Sequence, residues 1–330
     1  MTKRVFAFLM ALAMSFVLLA GCGQVQQPTQ PPTDPPTDPP VVQDLSKVTP
    51  LLYKVTDSQG NVAWLFGSIH IGTKDFYPLP EYVLTAFDGS DALAVEVDVL
   101  ALESDLQTQI NMMSLMVYTD GTTIRDHIRP DVYEAAVAII KKSGMYISAL
   151  DSYMPVLWYS YVESCGIMQA GYDATLGVDY HMLKRAKEQG KEILEVESAM
   201  EQYTLLAGLS PELQAFLLEN TVAACGDPVA YGLALQMLVG AWKKGNEEAL
   251  AANVNSKPIF FDEEERRLYE EFTQALLTSR DGGMTQFAVD ALTSGKEVFI
   301  CVGAAHVVGE EGMVYQLQQL GYTVEAVNGS

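Results

Sequence analysis

Two histidines occur in the same local frame of the sequence. Residues 64–70 (WLFGSIH) and 299–306 (FICVGAAH) each run from an apolar stretch through glycine and two further residues to histidine. The two glycines are Gly67 and Gly303. Imidazole binds transition metals and exchanges protons near neutral pH, so a repeated GxxH frame indicates a candidate metal or catalytic site.

An acidic segment lies between the two frames. Residues 92–98 (ALAVEVD) alternate with a period of two, which predicts a strand with Glu96 and Asp98 on one face. In sheets covered by helices, sites form beyond the carboxyl ends of strands. We therefore expect His70, His306 and Glu96 to meet in one cleft, where they would suit a divalent transition metal. The alternative is that each histidine only hydrogen-bonds its own turn.

Composition and missing motifs exclude several classes of protein. The 330 residues carry 42 acidic and 20 basic side chains, a formal charge of −22 that makes a nucleic-acid partner improbable. No HExxH, GxSxG, GxxxxGK[ST] or GxGxxG motif occurs. Four cysteines are too few for a disulfide scaffold, although a pair between Cys165 and Cys225 stays open.

Apolar runs near both ends of the chain predict strands. Residues 51–55 and 62–66 flank a turn-rich loop and indicate a hairpin. A continuous apolar run at 297–303 is typical of a strand covered on both faces, and further strands are predicted at 192–196 and 322–327.

The centre of the sequence has helical patterns with recognisable ends. Helices are predicted over 130–142, 178–189 and 310–320, and another begins at Pro211. The predicted fold class is α/β (α+β), with a central mixed sheet built from N- and C-terminal strands and a large helical insertion. The domain is predicted to span residues 45–330, with the helices as a central subdomain.

The first 44 residues are predicted to be a targeting signal followed by a linker. Lys3 and Arg4 precede an apolar run, and residues 19–22 (LAGC) resemble a bacterial lipobox. Residues 1–21 would then be a lipoprotein signal peptide and Cys22 the lipidated N-terminus, followed by a Pro-rich linker over 22–44. This predicts an extracytoplasmic protein anchored to the cell membrane by lipid. The alternative is an ordinary signal peptide with an incidental cysteine.

Several segments together resemble the TraB/GumN family, which includes the Tiki proteases. They are the two GxxH elements and residues 94–98, 303–312 (GAAHVVGEEG) and 321–324 (GYTV). Shorter pieces that fit are residues 177–179, 190–191, 196–198, 202, 242–245 and 280–281. Two pieces depart from the family pattern: the usual Arg-Asn pair reads Arg280-Asp281, and the usual Leu-Glu reads Val196-Glu197.

The resemblance implies a metal-dependent hydrolase related to the Tiki peptidases, acting on a peptide or protein substrate. Manganese or cobalt would be the ion ahead of zinc, and the fold would be similar to that of the erythromycin esterase and ChaN group. His70, His306 and Glu96 match the motif histidines and acid, and are expected as metal ligands and catalytic residues. Asp179, Glu197 and Arg280 match further family positions.

The roles of the acidic residues and of Arg280 stay open at this level. Glu96 is either a ligand or the general base, with Asp98 or Asp179 supplying the other function. Arg280 would stabilise an oxyanion, clamp a substrate carboxylate, or pair with a structural acid. Glu197, Asp98 and Glu310 are expected to support the site, and Glu310 is an outside candidate for a ligand because it follows His306 by four residues.

Two rival functions stay open, and the first of them uses the same cleft. The first is a non-catalytic surface protein that binds or inhibits a peptide or pheromone. The second is a haem-related role by analogy with ChaN, which needs an exposed His or Tyr over an apolar surface. The other two histidines suit simpler roles: His127 at the surface or as a cap, and His181 on a helix with a possible supporting contact near Asp179.

Overall fold

The computed structural model describes residues 48–255 and 262–327. The predicted signal peptide, Cys22 and the linker over 22–44 lie outside these residues and stay predictions. Within the described residues no single helix is both long and apolar enough to cross a bilayer; one pair of helices, bent by 102°, passes that test by length and composition together.

Six strands form one mixed sheet in the order β4-β3-β5-β2-β1-β6. Strand β1 is antiparallel to β2 and β6, whereas β2, β5, β3 and β4 are parallel to one another. The strands are β1 Leu52–Thr56, β2 Val62–Ser68, β3 Ala92–Val95, β4 Glu192–Glu195, β5 Val298–Gly303 and β6 Thr323–Ala326. The predicted hairpin and the predicted fold class are both confirmed.

Strand β5 sits between β2 and β3, and every one of its residues is buried, as its continuous apolar sequence indicated. Its register pairs Val302 with Gly67 and Gly303 with Ser68. On the other side Cys301 pairs with Val95. Because the three strands are parallel, their carboxyl ends meet at one edge of the sheet.

Helices fill the connections between strands. Before β4 they are α1 Glu81–Gly89, α2 Val99–Leu102, α3 Leu106–Leu115, α4 Pro130–Lys142, α5 Pro155–Gln169 and α6 Val178–Gln189. Between β4 and β5 they are α7 Ala199–Ala207, α8 Pro211–Gly226, α9 Pro228–Lys243, α10 Glu247–Val254, α11 Glu263–Thr273 and α12 Ser279–Thr293. After β5 come α13 Ala304–Val307 and α14 Met313–Gln319. A π-helical segment, Gln274–Thr278, joins α11 to α12.

Local chemistry sets the helix ends that the sequence predicted. Proline occupies the first turn of α4 and α8, where its missing N–H costs nothing. The Ser210 side chain accepts the Leu213 N–H at the start of α8. Helix α6 ends at Gly190, whose φ of +67° is the left-handed conformation that glycine adopts without strain.

Two element predictions are wrong. The strand expected over 92–98 ends at Val95, because the Asp98 side chain accepts the Ala101 N–H and starts α2 instead. Glu96 and Asp98 therefore do not share a strand face. The helix expected over 310–320 begins at Met313, since Gly309 at φ +104° turns the chain first, and Glu310 lies in that turn.

The helical layer is fastened to the sheet near the carboxyl end of β2. Trp242 of α9 is buried, and its Nε1 donates a hydrogen bond of 2.8 Å to the carbonyl of Gly67. At the same edge, the Val178 N–H at the start of α6 donates to the carbonyl of Ile69 at 2.8 Å. The buried cysteines Cys165 and Cys225 are free thiols, so the structure does not pair them.

Glycine is required where α6 meets the end of β2. A Cβ added at Gly177 would lie 2.5 Å from the carbonyl oxygen of His70, which is backbone and cannot move aside cheaply. Gly177→Ala should therefore lower the free energy of unfolding by about 1–3 kcal/mol, measured by chemical denaturation.

The matched control for that variant is Gly240→Ala, in the interior of α9, where an added Cβ meets no atom within 4 Å. Alanine favours helix over glycine, so this variant should be at least as stable as the parent. Equal stability of the two variants would contradict the close approach at Gly177.

Candidate active site

Three side chains from the ends of β2, β3 and β5 converge. His70 lies two residues beyond β2, Glu96 directly follows β3, and His306 lies in the short helix after β5. They are only 6, 2 and 4% exposed, respectively. The His70 Nε2 and Glu96 Oε1 atoms are 3.7 Å apart.

Gly303 gives these side chains room to meet. A Cβ there would lie 3.2 Å from His70 Nε2, 3.3 Å from Glu96 Oε1 and 3.7 Å from His306 Cδ2. The second motif glycine, Gly67, is constrained by packing, since an added Cβ would lie 3.2 Å from the Ala304 Cβ. Glycine is therefore needed at the two positions for different reasons. Gly303 leaves space for the three site side chains, and Gly67 allows β2 and α13 to pack closely.

Each histidine faces a carboxylate through Nδ1. His306 Nδ1 is 2.6 Å from Asp281 Oδ1, and His70 Nδ1 is 3.2 Å from Asp179 Oδ1. A carboxylate at Nδ1 favours the tautomer that leaves Nε2 with its lone pair free. Within the described part of the chain, His70 Nε2 is buried and has no hydrogen-bond partner.

Both oxygens of Glu96 are held. Arg280 Nη2 donates to Oε2 at 2.8 Å, and the Gly303 N–H donates to Oε1 at 2.7 Å. Burial alone would raise the pKa of Glu96, but the positive charge of Arg280, followed by His306 and His70, lowers it to about 2. Glu96 is therefore a fixed negative charge.

Arg280 links Glu96 to a second carboxylate. Its Nε donates to Glu197 Oε1 at 2.9 Å, and Gln202 holds Glu197 Oε2 from the other side at 2.9 Å. Burial works against the charged guanidinium, yet Glu96 and Glu197 outweigh it and raise the pKa of Arg280. The donors of this side chain point at Glu96, at Glu197 and at the carbonyl of Leu276, which favours the ion-pair alternative for Arg280.

Consecutive residues of α12 serve two parts of the site. Arg280 reaches Glu96 and Asp281 reaches His306, and both side chains are buried. The π-helical segment Gln274–Thr278 ends just before them. A π turn holds one more residue than an α turn, so it changes the direction in which the following side chains point.

The cluster has an excess of acid. Four carboxyl groups, those of Glu96, Asp179, Glu197 and Asp281, face one guanidinium and two imidazoles. Burial lowers the pKa of His70, but Asp179 and Glu96 outweigh it, so the net direction is upward. Burial also raises the pKa of Asp281, against the opposing effect of His306. The arrangement favours cations.

Other predicted residues lie elsewhere. Asp98 caps α2 and pairs with Lys187 at 3.2 Å, and Glu310 is exposed in its turn. His127 is exposed and stacks on Tyr118. His181 stacks on Tyr77, with ring centroids 4.0 Å apart.

Sequence reasoning missed two site residues. Asp281 was noticed only as a departure from the family's Arg-Asn pair, and that departure was the available signal for its contact with His306. Glu163 lies in the middle of an apolar helix, α5, and nothing in the sequence around it indicated its surroundings.

A pocket opens beside the histidines. It contains about 770 Å³ of space, counting its open mouth, and His70, Gly303 and His306 form part of its wall. Most of the remaining wall is apolar and includes Ile69, Ile71, Ile167, Leu235, Leu238 and Trp242.

The donor types of the cluster fit a transition metal. Two imidazoles that each face a carboxylate through Nδ1 are a familiar ligand pair, and the acid excess suits a cation. As placed, however, no group of three His, Cys, Asp or Glu residues in the described ranges has ion-holding geometry. The residues therefore fit a metal site in which His70 and His306 would be the principal protein ligands.

Comparison with known proteins agrees with the resemblance drawn from the sequence. The model of the TraB/PrgY/gumN family matches residues 51–326. The uncharacterised protein YbaP of Escherichia coli (strain K12) is 30% identical over 159 residues, which is 48% of this chain and 56% of YbaP. YbaP of Shigella flexneri gives the same values. The chain thus spans about half the length of these relatives, and no solved structure matches it.

The buried charge of Glu96 should make stability depend on acid. Its pKa is depressed from 4.5 to about 2, so its contribution is present above pH 4.5 and is lost as the pH falls toward 2. Glu96→Gln should lower the free energy of unfolding by about 3 kcal/mol at pH 7, because Arg280 loses one of its two carboxylate partners and keeps Glu197. The deficit relative to the parent should shrink between pH 4.5 and 2, as followed by urea denaturation.

The control is Glu310→Gln, which removes a charge of the same type from an exposed turn and should change stability by less than about 0.5 kcal/mol. A deficit for Glu96→Gln that stays constant from pH 7 to pH 2 would contradict the depressed pKa.

Proposed function

Since the chain belongs to the TraB/PrgY/gumN family, we propose that it is a metal-dependent hydrolase that cleaves peptides or proteins. One observation carries the proposal. Two buried imidazoles from parallel strands each face a carboxylate through Nδ1, and both approach the space at Gly303. Carboxylate–histidine pairs of this kind orient imidazole ligands in metalloenzymes.

His70 and His306 would hold the ion, with Glu96 as the third candidate. When bound, a divalent ion polarises a carbonyl and lowers the pKa of a coordinated water. Manganese or cobalt is proposed ahead of zinc, as the family resemblance implies.

The residues around the ligands have distinct tasks. Asp281 fixes the tautomer of His306 by accepting its Nδ1 proton, and Asp179 is placed to do the same for His70. Arg280 positions Glu96 and neutralises part of the acid excess. A carboxyl with a pKa near 2 is a weak base, so we assign Glu96 to charge stabilisation and ion binding rather than to proton abstraction.

Proton transfer is then assigned to Asp179 rather than Asp98. Asp179 Oδ1 is buried and lies 3.2 Å from His70 Nδ1. Asp98 is occupied by the Ala101 N–H and by Lys187. Asp179 faces the imidazole of His70, whereas Asp98 is tied to a lysine, so Asp179 is the better placed of the two for proton transfer at the site.

The proposed place of action is outside the cytoplasm, at the membrane. This part of the proposal rests on the lipobox-like residues 19–22 and the Pro-rich linker that follows. The substrate would be an extracytoplasmic peptide or protein.

A second candidate is a non-catalytic binding protein that uses the same cleft. The apolar wall beside the histidines favours it, because such a wall binds an apolar peptide segment without any chemistry. The two functions differ in what metal does: hydrolysis requires the ion at the histidines, whereas peptide binding along the apolar wall does not.

Metal binding is tested by thermal unfolding of the purified protein with manganese, cobalt, zinc or a chelator. An ion at about 100 times its Kd should stabilise the fold by about 2.7 kcal/mol. His70→Ala and His306→Ala should each abolish this stabilisation together with metal-stimulated cleavage of a fluorogenic peptide library.

His127→Ala is the matched control, because it removes an exposed imidazole and should retain both responses. Full metal-stimulated cleavage by both site variants would refute the proposal. Metal-independent binding of peptides without any cleavage would support the second candidate.

A further inference from the structure

The pocket beside the histidines contains an acidic residue that the proposed reaction does not use. Glu163 comes from α5, in the helical layer, whereas His70 and His306 come from the edge of the sheet. Glu163 is 2% exposed, and its Oε2 atom has no hydrogen-bond partner among the described residues.

The carboxyl group of Glu163 is only partly hydrogen-bonded within the described part of the chain. Tyr159, one turn earlier on α5, hydrogen-bonds Glu163, but that contact satisfies only part of the carboxyl group. Buried polar atoms are nearly always paired in folded proteins, so the unpaired Oε2 atom of Glu163 is an exception that indicates a missing partner. A purely structural acid would have both of its oxygens engaged.

We propose that Glu163 is a specificity-determining residue, which receives the ammonium or guanidinium group of a lysine or arginine side chain of the substrate. The inference rests on the proposed peptidase function, since it assigns that reaction its preferred substrate. Lysine and arginine have apolar stems and charged ends. The apolar wall, which includes Ile167 and Leu235, would contact the aliphatic part of such a side chain. Glu163 would pair with its charged group.

Charge favours the same ligand. The chain has a net charge of −22, which draws cationic peptides toward it. A neutral apolar side chain in this pocket would leave Glu163 Oε2 without a partner, so the site discriminates against it.

The protonation state of Glu163 supports this assignment. Burial raises the pKa of Glu163 to about 8, against the hydrogen bond from Tyr159. The other titratable groups whose charges interact with it are Cys225 on α8 and Tyr231 on α9, neither of which is a cation. In the empty pocket the carboxyl therefore holds its proton at neutral pH, and when an ammonium group enters, that proton leaves to solvent and a carboxylate–ammonium pair forms.

Binding of two small probes tests the proposal without any need for catalysis. They are Nα-acetyl-L-lysine methylamide and its norleucine counterpart, which has the same stem but no charge. Titration calorimetry on the purified protein at pH 8, with chelator present, should give at least tenfold tighter binding of the lysine probe. This comparison uses the parent protein alone.

Glu163→Gln should remove that preference and leave binding of the norleucine probe unchanged or tighter. Glu134→Gln, an exposed residue of α4, is the matched control and should keep the preference. In the peptide library with metal, cleavage next to lysine or arginine should exceed cleavage next to norleucine by tenfold or more in the parent, but not in Glu163→Gln.

The outcomes separate the two proposals. Cleavage without a cationic preference, together with equal binding of both probes, would overturn the role of Glu163 and leave the hydrolase standing. A Glu163-dependent preference for the lysine probe without any cleavage would support the pocket assignment and count against the hydrolase. Tighter binding of norleucine by the parent would show an apolar specificity and overturn the inference.

Discussion

The buried pair between Glu96 and Arg280 is the interaction on which the rest of the site depends. It joins the end of β3 to α12, and the other oxygen of Glu96 receives the Gly303 N–H of β5. A buried charge is tolerated only when its partners are close and correctly oriented. The parallel strands, the short connection after β5 and the entry into α12 must therefore all be in place before Glu96 can stay ionised.

Much of the site could be predicted from the sequence because its chemistry follows strands. The frames ending at His70 and His306 lie on neighbouring parallel strands, with Gly303 paired to Ser68, so the repetition in sequence becomes proximity in space. The family resemblance supplied Asp179, Glu197 and Arg280. The alternation of apolar and polar residues over 92–98 led to a strand prediction that was too long. Asp98 instead caps α2, so β3 ends early and Asp98 lies outside the cluster.

The remaining site residues depend on tertiary contacts that leave no local pattern. Asp281 is recognisable as part of the site only once α12 is laid against β5, where it reaches His306. Glu163 lies within the apolar sequence of α5. That one of its oxygens has no partner can be recognised only from the packing of α8 and α9 against that helix. The periodicity of apolar residues predicts which face of a helix or strand is buried. It does not predict which buried polar atom has no hydrogen-bond partner.

The π-helical segment Gln274–Thr278 limits the changes of chain length that the site of this protein tolerates. Each residue of a helix advances the chain by about 100°, so losing the extra residue would turn Arg280 and Asp281 away from the sheet together. Glu96 and His306 would lose their partners in one event, although every site residue was still present. The geometry of the site therefore depends on the number of residues between α11 and Arg280 as well as on which residues they are, and an insertion or deletion here would disturb the site more than a substitution.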